Sequence, residues 1–397
     1  MNWIVVLGRG TDMSVVHGII RIVIIALGGM LATPAGAECR LVKVGTLPLE
    51  IHDGWIVTRA EINGQETLAV IQSGASLTYV VQRTALDAGL KPTIVDGLHT
   101  VGVHGKSQIK AVTVNELKLG DFTFLKKTWF VKGDAKAEPG AYGIVLGRDI
   151  LSEEDWEMDL ANKRLIFWKT SRCETYPLAY WSGDSIKVRL EPSREKFIVI
   201  EAMINGKPVR AALSSATSAT VLTLDAARPL GFKEDGAGVE SSAGKPGSRR
   251  YLVEELGLGD VVVKSAKLSV ADLAFYQDRP KTGSLLRTRD DKFPYLLLGI
   301  DFLNANRVLV ANSQKLLYFT SYDKGTIFRD QVDRNSAENQ FPADLGIDLL
   351  VANRVATGQT QKYRNFTSYN GDTLLQTHAP REAEVIQLSD ELQEDKK

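Results

Sequence analysis

Two stretches of the chain, 142 residues apart, alternate apolar and polar positions in the same way and break at the same places. In 61–90 (EINGQETLAVIQSGASLTYVVQRTALDAGL) and 203–232 (MINGKPVRAALSSATSATVLTLDAARPLGF) the alternation is interrupted by Asn63-Gly64 and by Asn205-Gly206. Asn-Gly between alternating segments predicts a two-residue β-hairpin, with a strand running on to Gln72-Ser73-Gly74-Ala75-Ser76 in the first stretch and to Ser214-Ser215-Ala216-Thr217-Ser218 in the second. The spacing then turns helical and closes at Gly89 or Gly231, as a helix C-terminus requires. A Gly-punctuated polar hairpin follows, TVGVHGKSQ in the first copy and ESSAGKPGSRR in the second.

The correspondence continues in order. ELKLGD at 116–121 answers ELGLGD at 255–260, IVLGRDIL at 144–151 answers LLLGIDFL at 296–303, and KRLIFW answers KLLYFT. An ordered series of blocks indicates two copies of one domain. Short strands and Gly-rich turns make each copy all-β with short helices, a small closed or sandwich-like domain. The boundaries read are 38–170 for the first copy and 184–322 for the second, with a linker around 170–184. Residues 323–397 form a C-terminal extension, partly disordered, in which the apolar stretch 345–355 is able to dock on the copies as a helix or strand.

The first 37 residues differ in kind. Basic Arg9 and Arg21, the apolar run Ile22 to Leu31, Pro34 and the small triplet Ala35-Gly36-Ala37 follow the layout of a secretory signal peptide cleaved after Ala37. The run is shorter than a spanning helix needs, so no membrane span is expected after cleavage, and the mature protein is expected to be exported, periplasmic or extracellular. In an oxidising compartment Cys39 can pair with Cys173; two free thiols are the alternative, and the sequence leaves both open.

Composition narrows the function classes. Lys plus Arg number 48 and Asp plus Glu number 48, so no global field favours nucleic acid. Two cysteines and the lack of HExxH, GxGxxG or GxxxxGK[ST] patterns leave cofactor and metal chemistry without support. No cofactor and no metal are expected.

At Ile71-Gln72-Ser73-Gly74-Ala75-Ser76, with the Asn-Gly hairpin before it and Leu146-Gly147-Arg148-Asp149-Ile150-Leu151 after it, the chain resembles the retropepsin-like and pepsin-like aspartic proteases. The second copy resembles them through Leu298-Gly299-Ile300-Asp301-Phe302-Leu303. The resemblance covers most of 55–168 and 198–319. It implies two tandem acid-protease β-barrel domains paired as a bilobal pseudo-dimer, with hydroxyls of Ser73 and Ser215 bonding across the loops. It also implies a flap formed by the hairpin around Val101, Gly102 and Gly105. Asp149 and Asp301 match family positions of the corner helix, where a capping or salt-bridging role is expected.

The family's catalytic Asp positions are occupied here by Gln72 and Ser214. Family chemistry needs two carboxyls sharing a proton around one water, one to deprotonate it and one to polarise the scissile carbonyl. An amide and an aliphatic hydroxyl can do neither near neutral pH. No GxSxG elbow supports a serine triad, and His99 and His104 belong to the flap hairpin. The reading is an exported pseudoprotease that binds a peptide or protein segment in the cleft between two lobes. The segment would be held by the loops 73–76 and 215–218 and by the flap. The alternatives are a divergent active aspartic-type endopeptidase and a structural envelope scaffold. Ligand identity and oligomeric state are not fixed by the sequence.

Overall fold

The computed structural model describes residues 38–52, 54–75, 77–102, 105–132, 142–193, 197–232, 239–241, 249–271, 295–323, 327–328, 349–352 and 384–388. The signal-peptide segment and its cleavage site lie outside the described residues. Among the described residues there are three sheets: one in each copy, and one shared between them.

Each copy forms its own lobe, and the strand orders match. In the first, Trp55–Ile62 pairs with Gln65–Ile71, which runs parallel to Ile144–Leu146. That strand is antiparallel to Tyr79–Val81, itself parallel to Phe122–Lys132. In the second, Val199–Ile204, Lys207–Leu213, Leu296–Leu298, Val221–Thr223 and Val261–Ala271 repeat the pattern with the same polarities. The hairpin turns are built as the dipeptides demand: Asn63 and Gly64 have φ of 49° and 84°, Asn205 and Gly206 of 49° and 74°. Both central residues of this turn class need positive φ, which Asn tolerates and Gly adopts freely. The helices after the loops are Gln82–Asp87, and Leu224–Ala227 continued by a 3₁₀ turn Arg228–Leu230 that ends on left-handed Gly231; the short corner helices are Arg148–Leu151 and Ile300–Ala305.

The shared sheet has near two-fold symmetry. Asp155–Asp159 of the first copy pairs antiparallel with Asn306–Ala311 of the second, aligning Trp156 with Val310, Glu157 with Leu309 and Met158 with Val308. Outward from this seam come Arg164–Ser171 and Leu316–Ser321, then Cys39–Pro48 and Ile186–Arg189. Alternate residues point to opposite faces, and both faces are covered. One face sends Trp156, Met158, Phe167, Val308, Val310 and Phe319 into the main core that includes both lobes. The other packs Leu41, Ile166, Trp168, Leu309 and Tyr318 under the linker residues Cys173, Leu178 and Ala179. Burial on both faces explains the unbroken apolar runs Leu165–Trp168, Val308–Ala311 and Leu316–Phe319. A disulfide joins Cys39 and Cys173, tying the first strand of the shared sheet to that linker.

Two further strands come from the C-terminal extension. Val385–Leu388 pairs with Cys39–Val42 at the outer edge of the shared sheet, and Leu349–Ala352 pairs with Leu98–Val101 at the outer edge of the first flap hairpin.

Candidate functional site

The two loops that end the second strand of each hairpin meet at the pseudo-two-fold axis. The Ser73 hydroxyl accepts from the Ser215 N–H at 3.0 Å and donates to the Leu213 carbonyl at 2.9 Å. Reciprocally, the Ser215 hydroxyl accepts from the Ser73 N–H at 3.0 Å and donates to the Ile71 carbonyl at 2.7 Å. Each lobe thus satisfies buried backbone groups of the other, and neither loop is complete alone.

Gln72 and Ser214 sit immediately before the gripping serines, at the two positions that flank the axis. Both are fully buried. The Gln72 N–H donates to the Leu146 carbonyl and the Ser214 N–H to the Leu298 carbonyl, each at 2.9 Å, so both residues end their strands in the same way. The Ser214 hydroxyl accepts from the Ala216 N–H at 3.4 Å, within its own loop. Ala75 and Ala216 are buried, as is Thr217, whereas Ser218 is partly exposed; Ser76 lies outside the described residues. Ala216 replaces the Gly74 of the first loop without breaking the symmetry of the grip.

Behind each loop stands the corner that the Leu-Gly-x-Asp blocks build. Asp149 Oδ1 accepts from the Thr78 N–H at 2.8 Å and from the Thr78 hydroxyl at 2.7 Å; that hydroxyl oxygen in turn accepts from the Gly147 N–H at 2.9 Å. Asp301 and Thr220 repeat the arrangement, with the Gly299 N–H on the Thr220 hydroxyl at 3.1 Å. These aspartates therefore staple the loop to the corner helix. Burial pushes the Asp149 carboxyl above its ordinary range, only partly opposed by the hydrogen bonds from Thr78 and Ile150. The glycines are needed for close approach: a Cβ on Gly147 would lie 2.4 Å from the Leu77 carbonyl carbon, and one on Gly299 2.5 Å from that of Ala219.

The flap hairpin of the first copy, Thr93–Gly102 with Gly105–Leu119, closes on the pair Gly102 and Gly105, and Val101 pairs with Lys106. His99 lies in its first strand; His104 is outside the described residues. The corresponding hairpin of the second copy pairs Val239–Ser241 with Arg249–Tyr251. Three aspartates flank the loops in sequence: Asp96 is exposed, Asp225 reaches Arg228 at the start of its helix, and Asp53 is outside the described residues. Among the described residues no group of three His, Cys, Asp or Glu is placed to hold a metal ion, and no helix is long and apolar enough to cross a membrane. A groove of about 380 Å³ lined by Glu50, Arg59, Glu61 and Lys118 lies on the first lobe away from the loops.

Two features had no sequence signal. Arg148, in the corner block of the first copy, is buried, donates to the Ala75 carbonyl at 3.2 Å and stacks 4.3 Å from the Phe197 ring of the second lobe. At the seam of the shared sheet, Arg307 is held 2.6 Å from Glu157 and lies 4.3 Å from the Trp181 ring, while Glu157 also accepts from Tyr180 and Trp168.

Comparison with known proteins agrees with this geometry. Residues 58–153 match the family described as "gag-polyprotein putative aspartyl protease", and residues 200–302 match the family described as "Aspartyl protease". The chain belongs to the retropepsin-like and pepsin-like aspartic protease family, with one copy of the domain in each lobe. The aspartic proteinase from Irpex lacteus is a structural neighbour at 12% identity and a TM-score of 0.44, covering 72% of this chain and 99% of its own. No curated protein matches the sequence significantly.

Proposed function

We propose that this protein is an exported pseudoprotease that binds an extended peptide or protein segment between its lobes without cutting it. The observation that carries the reading is the combination at the axis. The loops keep the reciprocal serine grip that assembles a two-lobed site, yet both positions that should supply acids hold the buried neutral side chains of Gln72 and Ser214. Removing the acids removes the general base and the electrophile together, because each depends on the shared proton. A paired cleft with flap hairpins still offers backbone donors and acceptors to an extended chain. The Cys39–Cys173 disulfide supports an oxidising compartment.

The test uses the purified chain and an unfolded, carboxymethylated protein as substrate from pH 3 to 7, read by the appearance of new N-termini. No cleavage is expected, and a statine-type mimic of the tetrahedral intermediate is expected to bind no better than its ground-state peptide counterpart. Cleavage that survives repurification and vanishes on replacing one particular Asp would establish the divergent endopeptidase instead.

A further inference from the structure

Strand addition at a sheet edge uses main-chain hydrogen bonds, so whatever pairs with an edge competes with any other strand for it. The outer edge of the first flap hairpin is already paired. Leu349, Leu350, Val351 and Ala352 lie antiparallel to Val101, Thr100, His99 and Leu98, ending one residue from the closing pair Gly102 and Gly105. The second flap hairpin differs: its outer strand Val239–Ser241 ends its sheet among the described residues. The same C-terminal extension is anchored again further on. Val385–Leu388 pairs with Cys39–Val42, the Lys43 N–H donates to the Glu384 carbonyl at 2.9 Å, and the two side chains form an ion pair at 3.1 Å. In sequence the docking segment thus lies between Ser321, which ends the second copy's last strand of the shared sheet, and Glu384, which is anchored on the first copy. Its sequence is a short uncharged aliphatic run, Leu-Leu-Val-Ala, preceded by Asp348 and followed by Asn353-Arg354.

We propose that Leu349–Ala352 is a built-in occupant of the flap edge, which an extended aliphatic peptide from a partner must displace. The proposal rests on the peptide-binding reading above and names its ligand class: a strand resembling the one the chain supplies to itself. A tethered strand competes at an effective concentration that reaches the millimolar range, so a free peptide meets a large handicap until the resident strand is released.

The experiment compares the full chain with its L350P/V351P variant. Successive N–H groups of a strand point to opposite sides, so prolines at both positions remove whichever one faces the flap. Hydrogen exchange is read at Leu98–Val101, with Asn306–Ala311 of the shared sheet as the control for an intact fold. A fluorescent peptide of residues 346–355 is titrated by anisotropy. The expected result is faster exchange at Leu98–Val101 in the variant, an unchanged control strand, and at least tenfold tighter peptide binding that restores protection there. Equal exchange at Leu98–Val101, or equal and measurable peptide affinity for the two chains, overturns the proposal and leaves the binding reading standing. Faster exchange with no peptide bound by either chain overturns the binding reading itself, and displacement with it.

Discussion

Removing one hydroxyl from the grip is the sharpest test of whether the lobes are one site or two neighbours. In Ser73→Ala the Ser215 N–H loses its acceptor and the Leu213 carbonyl loses its donor, at 3.0 and 2.9 Å. Ser215 and Leu213 are almost wholly shielded from water, so solvent cannot repair the loss without the loops parting. A buried polar group left without a partner costs about 1–3 kcal/mol, which for two groups with some relaxation gives about 2–4 kcal/mol. Ser215→Ala removes the mirror pair, from the Ser73 N–H and to the Ile71 carbonyl, and carries the same expectation. The informative quantity is the double variant. Once one hydroxyl is gone the loops can separate, so the second costs less, and a coupling of about 0.5–3 kcal/mol is expected for residues sharing one network. Urea unfolding followed by fluorescence of the buried Trp156 and Trp168 supplies the three free energies. Single losses below about 0.5 kcal/mol that simply add would mean that the loops do not depend on one another, and the paired-site reasoning would fall with them.

Other perturbations reach different parts of the molecule. Arg307→Ala leaves Glu157 buried opposite an absent cation and should cost about 3–5 kcal/mol in urea unfolding, whereas R307M combined with E157Q should recover most of it. At Asp159, burial raises the carboxyl, but the hydrogen bonds from Asn162 and Tyr322 and the charge of Arg307 outweigh it and hold the group below its ordinary range. A group with a depressed folded pKa contributes stability above its unfolded value, near 3.8, and loses it as pH falls through the folded value. Urea midpoints of Asp159→Asn and the parent should therefore differ at pH 7 and converge toward pH 2. Gly147→Ala drives a Cβ into the backbone of Leu77 and should cost about 1–3 kcal/mol or more, measured by thermal unfolding, with Gly299→Ala behaving alike. Replacing Cys39 and Cys173 by Ser opens a loop of 134 residues and should lower stability by about 2–5 kcal/mol, and a chain as stable as the parent would show that the shared sheet holds its first strand unaided.

What could be read from the sequence was what local chemistry enforces. Asn63-Gly64 and Asn205-Gly206 announce their hairpins because that turn needs two positive φ values, and the loops, corner blocks and their order repeat because each copy folds through the same local steps. The neutral pair Gln72 and Ser214 was legible too, since a missing carboxylate is a fact of residue identity. That Ser73 and Ser215 bond across the axis needed the resemblance to the family as well as the residues. The rest was decided by tertiary structure. Nothing in the spacing of Arg307 and Glu157, or of Arg148 and Phe197, marks them as partners, because their meeting depends on closing loops of about 150 and about 50 residues. That the stretch 345–355 can dock was legible, but where Leu349–Ala352 docks, and the strand Val385–Leu388 altogether, were hidden for a deeper reason: a strand that caps an edge is recognised by backbone N–H and C=O groups, which every residue but proline carries alike. Only the folded lobes, by the sheet edges they present, determine where such a segment can come to rest.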